Sequence, residues 1–278
     1  MDKIKFGTDG WRGIIAKDFT VTNVKRVAKA TADWVLARDK DAKIVLGYDC
    51  RFGGELFAET TALVVAAHGI KVKMAKGFVS TPMISFGANK LGSDIGVIIT
   101  ASHNPPTYNG IKLSRAGARG ISLESGLAAI RDRAAEYLEQ GIEAVATPGG
   151  FRQAHILAEY ANYLRGLVNL ENIRPLKIVV DAGNGMAGMT VPAVLGTAAD
   201  LPKLPLEIIP MYFELDGTFP NHEANPLDPK NLVDLQRAVV EHKADIGLAF
   251  DGDADRVFVI DENGDAVTPS AVAAIVAR

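Results

Sequence analysis

Cysteine occurs once in this 278-residue chain, at Cys50. No internal disulfide can form, and the sequence fits a reducing compartment, most simply the cytoplasm, with Cys50 expected to be buried and inert. Uninterrupted apolar runs fall well short of the ~20 residues that a membrane-spanning helix needs. The opening MDKIKFGTDGWRG also lacks the apolar stretch of a secretory signal. Blocks of a single charge are missing too: 30 Lys and Arg stand against 33 Asp and Glu, for a net charge of -3. That balance argues against a nucleic-acid surface and against binding to anionic membranes. A soluble, cytoplasmic protein is expected, and any recognition of phosphate must come from local geometry.

What is present is an alternation of short β-branched runs with amphipathic stretches, the pattern of an α/β fold. KIVLGYD (43–49) reads as a buried strand, followed by a helix that stops at Gly69, a strand over 71–75, a helix over 82–90 and a strand over 94–100. The order recurs with a strand over 177–182, a helix near 185–196, a strand over 206–213, a helix over 229–242 and a strand over 245–250. KIVLGYD answers KIVVDAG, and SDIGVIIT answers ADIGLAF, which predicts duplication of a whole domain. The expected architecture is two tandem, similar α/β domains, with mixed, mainly parallel sheets flanked by helices and an active-site cleft between them. Pro148, Gly149 and Gly150 mark the boundary, giving domains over 1–150 and 151–266, the second opened by a helix over 153–168. Thr268, Pro269 and Ser270 start a further helix, so residues 267–278 are expected to begin a third domain.

In open α/β sheets, ligands gather at the carboxyl ends of strands, so the segments after the two matching strands carry the chemistry. The first is TASHNPPTYNGIK, in which Ser102 follows the strand and Pro105-Pro106 enforces an ordered, exposed turn. Alone, Ser102-His103-Asn104 reads as a turn held by side-chain hydrogen bonds. In the longer string Ser102 is a candidate nucleophile. His103 is adjacent, and Lys112 is expected to fold back past an Asn109-Gly110 hairpin turn. The second segment, Asp251-Gly252-Asp253-Ala254-Asp255-Arg256, sets three carboxylates at alternate positions in a turn where they can converge on a hard cation, naturally Mg²⁺. A calcium loop of the helix-loop-helix kind would place Glu262 at its last position, but Arg256 stands where that loop needs glycine, and VFVID reads as a strand. With Ser102 phosphorylated, the phosphate would complete the cation's ligands.

Two further loops are weaker alone. FGTDGWRG (6–13) reads as a tight turn whose Arg12 could hold a phosphate through two hydrogen bonds. Gly183, Gly185 and Gly188 formally satisfy the dinucleotide-binding pattern, but the expected partner strand around KLPLEII lacks a terminal acid for a ribose.

FGTDGWRG, TASHNPPTYNGIK and DGDADR, in this order, resemble the alpha-D-phosphohexomutases, the family of phosphoglucomutase and phosphomannomutase, and FPNHEANPL (219–227) resembles a linker loop of that family. The resemblance spans the chain. It implies that Ser102 is the phosphoserine and also a metal ligand, that Asp251, Asp253 and Asp255 bind Mg²⁺, and that Arg12, His103, Lys112 and Arg256 supply surrounding charge. Lys112 is then the proton-transfer candidate, with Arg12, Lys112 and Arg256 binding substrate phosphate. The implied substrate is a phosphorylated hexose, interconverted between its 1- and 6-phosphates through a hexose 1,6-bisphosphate. Family members have four domains, with Gly-Glu-x-Ser-Gly and Arg-x-Ser-Gly-Thr loops in the third and fourth. Neither string occurs here, so the expectation is a fragment with little turnover. The rival readings are a magnesium-dependent sugar phosphatase or phosphotransferase, and a non-catalytic metal- and phosphate-binding fragment.

Overall fold

A computed structural model describes residue 4 and residues 6–142, 150–170 and 172–277. The chain divides into two compact units, one of residues 1–101 and 106–156, the other of residues 102–105 and 157–278.

In the first unit the elements run β1 (Gly10–Ile14), α1 (Val21–Leu36), β2 (Lys43–Tyr48), α2 (Gly54–Ala67), β3 (Lys71–Ala75), α3 (Thr81–Lys90), β4 (Ile95–Ile99), β5 (Tyr108–Arg115), β6 (Arg119–Gly120), α4 (Ala128–Gln140) and β7 (Phe151–Ala154). They form a seven-stranded sheet of order β1-β5-β4-β2-β3-β7, with β6 paired to β5. β2, β3, β4 and β7 are parallel, while β5 runs antiparallel to both β4 and β1. The continuous apolar runs of β2 and β4 are buried throughout apart from Lys43, as strands covered on both faces must be. α1 shows the complementary signal. Thr20 caps it by accepting from the Asn23 amide, and Val24, Val27, Ala28, Thr31 and Val35 bury one stripe.

The second unit contains α5 (Leu157–Leu167), β8 (Leu176–Asp181), α6 (Ala187–Val194), β9 (Leu206–Met211), α7 (Val233–His242), β10 (Ile246–Phe250), β11 (Val257–Ile260), β12 (Ala266–Val267) and α8 (Pro269–Val276). Its five-stranded sheet has the order β12-β11-β10-β8-β9, parallel across β10-β8-β9 and antiparallel at β11. β8 alternates between two cores: Val179 packs with Leu232, Leu235 and Val239 on one face, and Ile178 and Val180 pack with Ala187 and Val191 on the other. The strand order β5-β4-β2-β3 in one unit thus matches β11-β10-β8-β9 in the other, in direction as well as sequence order. In both, the third parallel strand is followed by a direct return into an antiparallel neighbour.

Four local expectations are corrected. Asn109 and Gly110 lie inside β5 and form no hairpin turn. Gly110 is required because a Cβ would sit 2.6 Å from the Thr100 carbonyl oxygen and 2.7 Å from that of Trp11. Residues 10–13 belong to a strand, with Gly10 paired to Lys112 so closely that a Cβ would lie 1.9 Å from the Ile111 carbonyl oxygen. The helix expected over 153–168 starts at Leu157, because Phe151–Ala154 form a strand beside β3 in the first sheet. Finally, Cys50 is half-buried. Of the expected boundary, Pro148 and Gly149 lie outside the described residues. Among those described, no helix is long and apolar enough to cross a membrane.

Candidate active site and metal centre

Ser102 stands three residues beyond β4, in the left-handed region at φ 54°. A non-glycine residue held there costs on the order of 1–3 kcal/mol and persists only where its surroundings fix it. The surroundings are visible. Ser102 Oγ donates to Asp251 Oδ2 at 2.9 Å and accepts from Arg256 Nη2 at 2.9 Å. The turn is therefore not exposed at the serine, as the sequence suggested: Ser102 is 1% exposed, and only Pro105 and Thr107 in this stretch are open to solvent.

Asp251 organises the facing loop with its two oxygens. Oδ1 accepts from the backbone amides of Asp255 and Arg256, each at 3.1 Å, which bends the loop around its own first residue. Oδ2 takes Ser102 together with Arg256, whose Nη2 donates at 2.6 Å and Nε at 3.0 Å. His103 Nδ1 lies 3.5 Å from Ser102 Oγ and in close contact with Arg256 Nη2. Since a guanidinium only donates, Nδ1 accepts from it, which puts the proton of a neutral His103 on Nε2.

Gly252 lets these chains approach. A Cβ there would lie 2.5 Å from the Ser102 carbonyl oxygen. Gly185 works on the other side of the loop, where a Cβ would meet the Gly252 carbonyl oxygen at 2.7 Å, and Gly188 packs against the Phe213 backbone. The glycines of GNGMAG thus serve chain packing, which leaves the dinucleotide reading without support.

Asp251, Asp253 and Asp255 each present an oxygen within 4.8 Å of the others'. The first two are fully buried. Burial pushes the Asp251 carboxyl up to about 7, Asp253 and Asp255 add to the rise, and Arg256 opposes it. Three hard oxygen donors converging at this spacing, with burial and mutual repulsion to be relieved, are a donor set suited to a divalent cation such as Mg²⁺.

The other predicted residues lie in the first unit. Arg12 on β1 sits opposite Gly110 on β5, and Lys112, also on β5, is opposite Gly10. Asp9 links them, with one carboxylate oxygen 3.8 Å from Arg12 Nη2 and the other 3.7 Å from Lys112 Nζ. Lys112 is buried to 6% exposure, so its ammonium is held within the fold and not on a mobile surface stem.

Residues 3–140 match the family description "Phosphoglucomutase/phosphomannomutase, alpha/beta/alpha domain I", and residues 158–264 match that of domain II. The chain belongs to the phosphoglucomutase/phosphomannomutase family. Among relatives in this family, a phosphomannomutase of Vibrio cholerae is 40% identical over 227 residues, covering 82% of this chain and 48% of that protein. A phosphomannomutase/phosphoglucomutase of Pseudomonas aeruginosa is 34% identical over 268 residues, covering 96% and 54%. The crystal structure of a phosphoglucomutase/phosphomannomutase family protein from Burkholderia thailandensis superposes with a TM-score of 0.80 at 30% identity, covering 94% of this chain and 55% of that one. The chain spans about half the length of the curated relatives it matches.

Sequence reasoning missed the residues that brace the phosphohexomutase loops from behind. Asp181 Oδ1 accepts from the Gly183 amide at 2.8 Å, and its Oδ2 pairs with His222 Nε2 at 2.9 Å. Asn221 Nδ2 donates to Asn184 Oδ1 at 2.7 Å. Asp49 and Arg51 form a buried counterpart in the first unit, 3.5 Å apart. The available signal was the shared aspartate: the matching strands KIVLGYD and KIVVD both end in one.

Proposed function

We propose that this chain carries the phosphoryl-transfer centre of a phosphohexomutase acting on a phosphorylated hexose, with Ser102 as the phosphoryl carrier. The observation that carries this is the 2.9 Å contact between Ser102 Oγ and Asp251 Oδ2, which unites the nucleophile of one motif with the acidic triplet of another. Asp251, Asp253 and Asp255 would hold Mg²⁺, which when bound supplies charge neutralisation for the transferring phosphoryl group.

The reaction is written from the phosphorylated enzyme. A hydroxyl of the hexose monophosphate attacks phosphorus, the bond from phosphorus to Ser102 Oγ breaks, and a hexose 1,6-bisphosphate forms. The hydroxyl proton passes to a base, for which Lys112 in its uncharged amine form is the candidate, and the leaving Oγ, steadied by Arg256, takes up one proton in return, so that the serine ends as a hydroxyl and the proton count closes. The bisphosphate then returns its other phosphate to Ser102, so that 1- and 6-phosphates interconvert. Arg256 and His103 are suited to hold the phosphate on Ser102, since a guanidinium already spans Oγ and Asp251. Arg12 and Lys112 are assigned to the substrate's charge, with Asp9 keeping both in place.

The test is the intact mass and peptide map of the chain after incubation with glucose 1,6-bisphosphate and Mg²⁺. One added phosphate on the peptide containing Ser102, absent from Ser102→Ala, is expected. Phosphate found on another residue, or none on Ser102, would overturn the assignment.

A further inference from the structure

The acidic loop is braced by groups outside all three sequence motifs. The Ser102 carbonyl and a small apolar shelf crowd one face of Gly252, between Asp251 and Asp253. A Cβ on Gly252 would reach Ala224 Cβ at 3.5 Å and Phe219 Cζ at 3.6 Å. Its carbonyl oxygen accepts from the Met186 amide at 2.9 Å. Two segments therefore back the loop: the turn over 183–186 that follows β8, and the stretch over 219–224.

Those two segments are tied together by His222 and Asp181. His222 Nε2 donates to Asp181 Oδ2 at 2.9 Å, and His222 Nδ1 donates to the Glu223 carbonyl at 2.8 Å. Both ring nitrogens face oxygen acceptors, an arrangement that only the doubly protonated imidazolium satisfies. Asp181, 1% exposed, uses its other oxygen on the Gly183 amide, so one carboxylate fixes the turn on one side and the histidine on the other. Gly183 lies in the left-handed region at φ 50°, beside the His222 ring. The Asn221–Asn184 hydrogen bond parallels the tie.

We propose that the His222–Asp181 pair is a positioning element for the metal loop, holding the 183–186 and 219–224 segments against Gly252 so that Asp251 and Asp253 keep their spacing. This deepens the proposed function and rests on it for the identity of the bound cation. His222 touches neither the cation ligands nor the reacting serine, so its effect reaches the site through Gly252 and its two neighbouring segments. Groups that hold metal ligands from behind typically govern affinity by about 10–100-fold.

The test combines two measurements on the whole chain. Hydrogen exchange reads the loop directly through the amides of Asp255 and Arg256, which bond to Asp251, and of Met186, which bonds to Gly252. Titration with Mn²⁺ reads the metal site. In His222→Ala and in Asp181→Asn, those amides should exchange faster while β8 and β10 keep their protection, and Mn²⁺ binding should weaken by about tenfold. The double variant should be no worse than the more severe single one, because both remove the same tie. His222→Gln is the milder variant if His222→Ala does not fold: it can still donate to Asp181 but cannot serve Glu223 at the same time. Unchanged loop exchange in Asp181→Asn and His222→Gln would overturn the positioning role, whatever the metal does. A wild-type chain that binds no Mn²⁺ would instead sink the metal reading, while the exchange measurement still decides the brace.

Discussion

Asp49 directly follows β2 and Asp181 ends β8, the matching strands of the two units, and each divides its carboxylate in the same way. One oxygen accepts from the amide two residues on, Arg51 at 3.0 Å in the first unit and Gly183 at 2.8 Å in the second. The other faces a cation, and here the units diverge. Asp49 meets Arg51, only two positions away, whose Nη1 also donates to the Tyr108 carbonyl at 3.1 Å, where β5 begins after the serine loop. Asp181 meets His222, forty-one positions away in a long excursion of the chain. The same slot in a repeated fold thus carries a permanently charged local brace in one copy and a titratable distant one in the other. The loops that follow the third parallel strands differ in the same sense: one offers a single serine hydroxyl, the other a cluster of three acids.

The largest contrast should come from the acids. Asp253→Asn removes one buried donor of three and is expected to weaken Mg²⁺ binding by at least about 100-fold by calorimetry, exceeding the effect of a brace mutation. An unchanged isotherm would reduce the triplet to a structural turn. Arg51→Met comes next. It takes the guanidinium from a buried carboxylate and should cost the first unit about 3–5 kcal/mol in urea denaturation, with unfolding of the second unit unchanged. A loss below about 1 kcal/mol would show that the two braces are not equivalent devices.

The smallest effect is the most selective. Burial works against a charged His222, but the Asp181 carboxylate outweighs it and Asp234 adds to the rise, so its pKa lies above the ordinary 6.5. A group raised on folding contributes stability that is complete below 6.5 and is lost as pH climbs through the higher folded value. Denaturation of the second unit measured across that window should show a decline in the wild type that is absent in His222→Gln. Arg51 holds its charge throughout, so the first unit's brace should add no such slope.

Much of this was legible because periodicity and loop chemistry coincide. The apolar runs over 43–49 and 245–250 became strands, the first buried and the second half-buried, and the DGDADR triplet converged as its alternate spacing allowed. Asn109-Gly110 misled because the dipeptide most often reports a turn, whereas here glycine was selected by two carbonyls crowding its α-carbon within a sheet. The burial of Ser102 was hidden for a related reason. Two prolines do mark an ordered turn, but which side of it meets Asp251 and Arg256 depends on groups about 150 residues away. Residues 151–154 carry too short a pattern to show which sheet they join. The His222–Asp181 tie left only separate traces, the aspartate at the end of KIVVD and the string over 219–227, because one partner ends a strand, the other lies in a distant loop and only the fold aligns them.

The direct return from a parallel to an antiparallel strand, present in both units, limits how the serine and aspartate loops can behave. Eight residues separate β4 from β5 and six separate β10 from β11, each stretch pinned at both ends to adjacent strands about 4.8 Å apart. A tether that short has little freedom left to lose, so its ordering is completed when the sheet forms and is not deferred until a ligand arrives. Neither segment has the slack to swing as a flap.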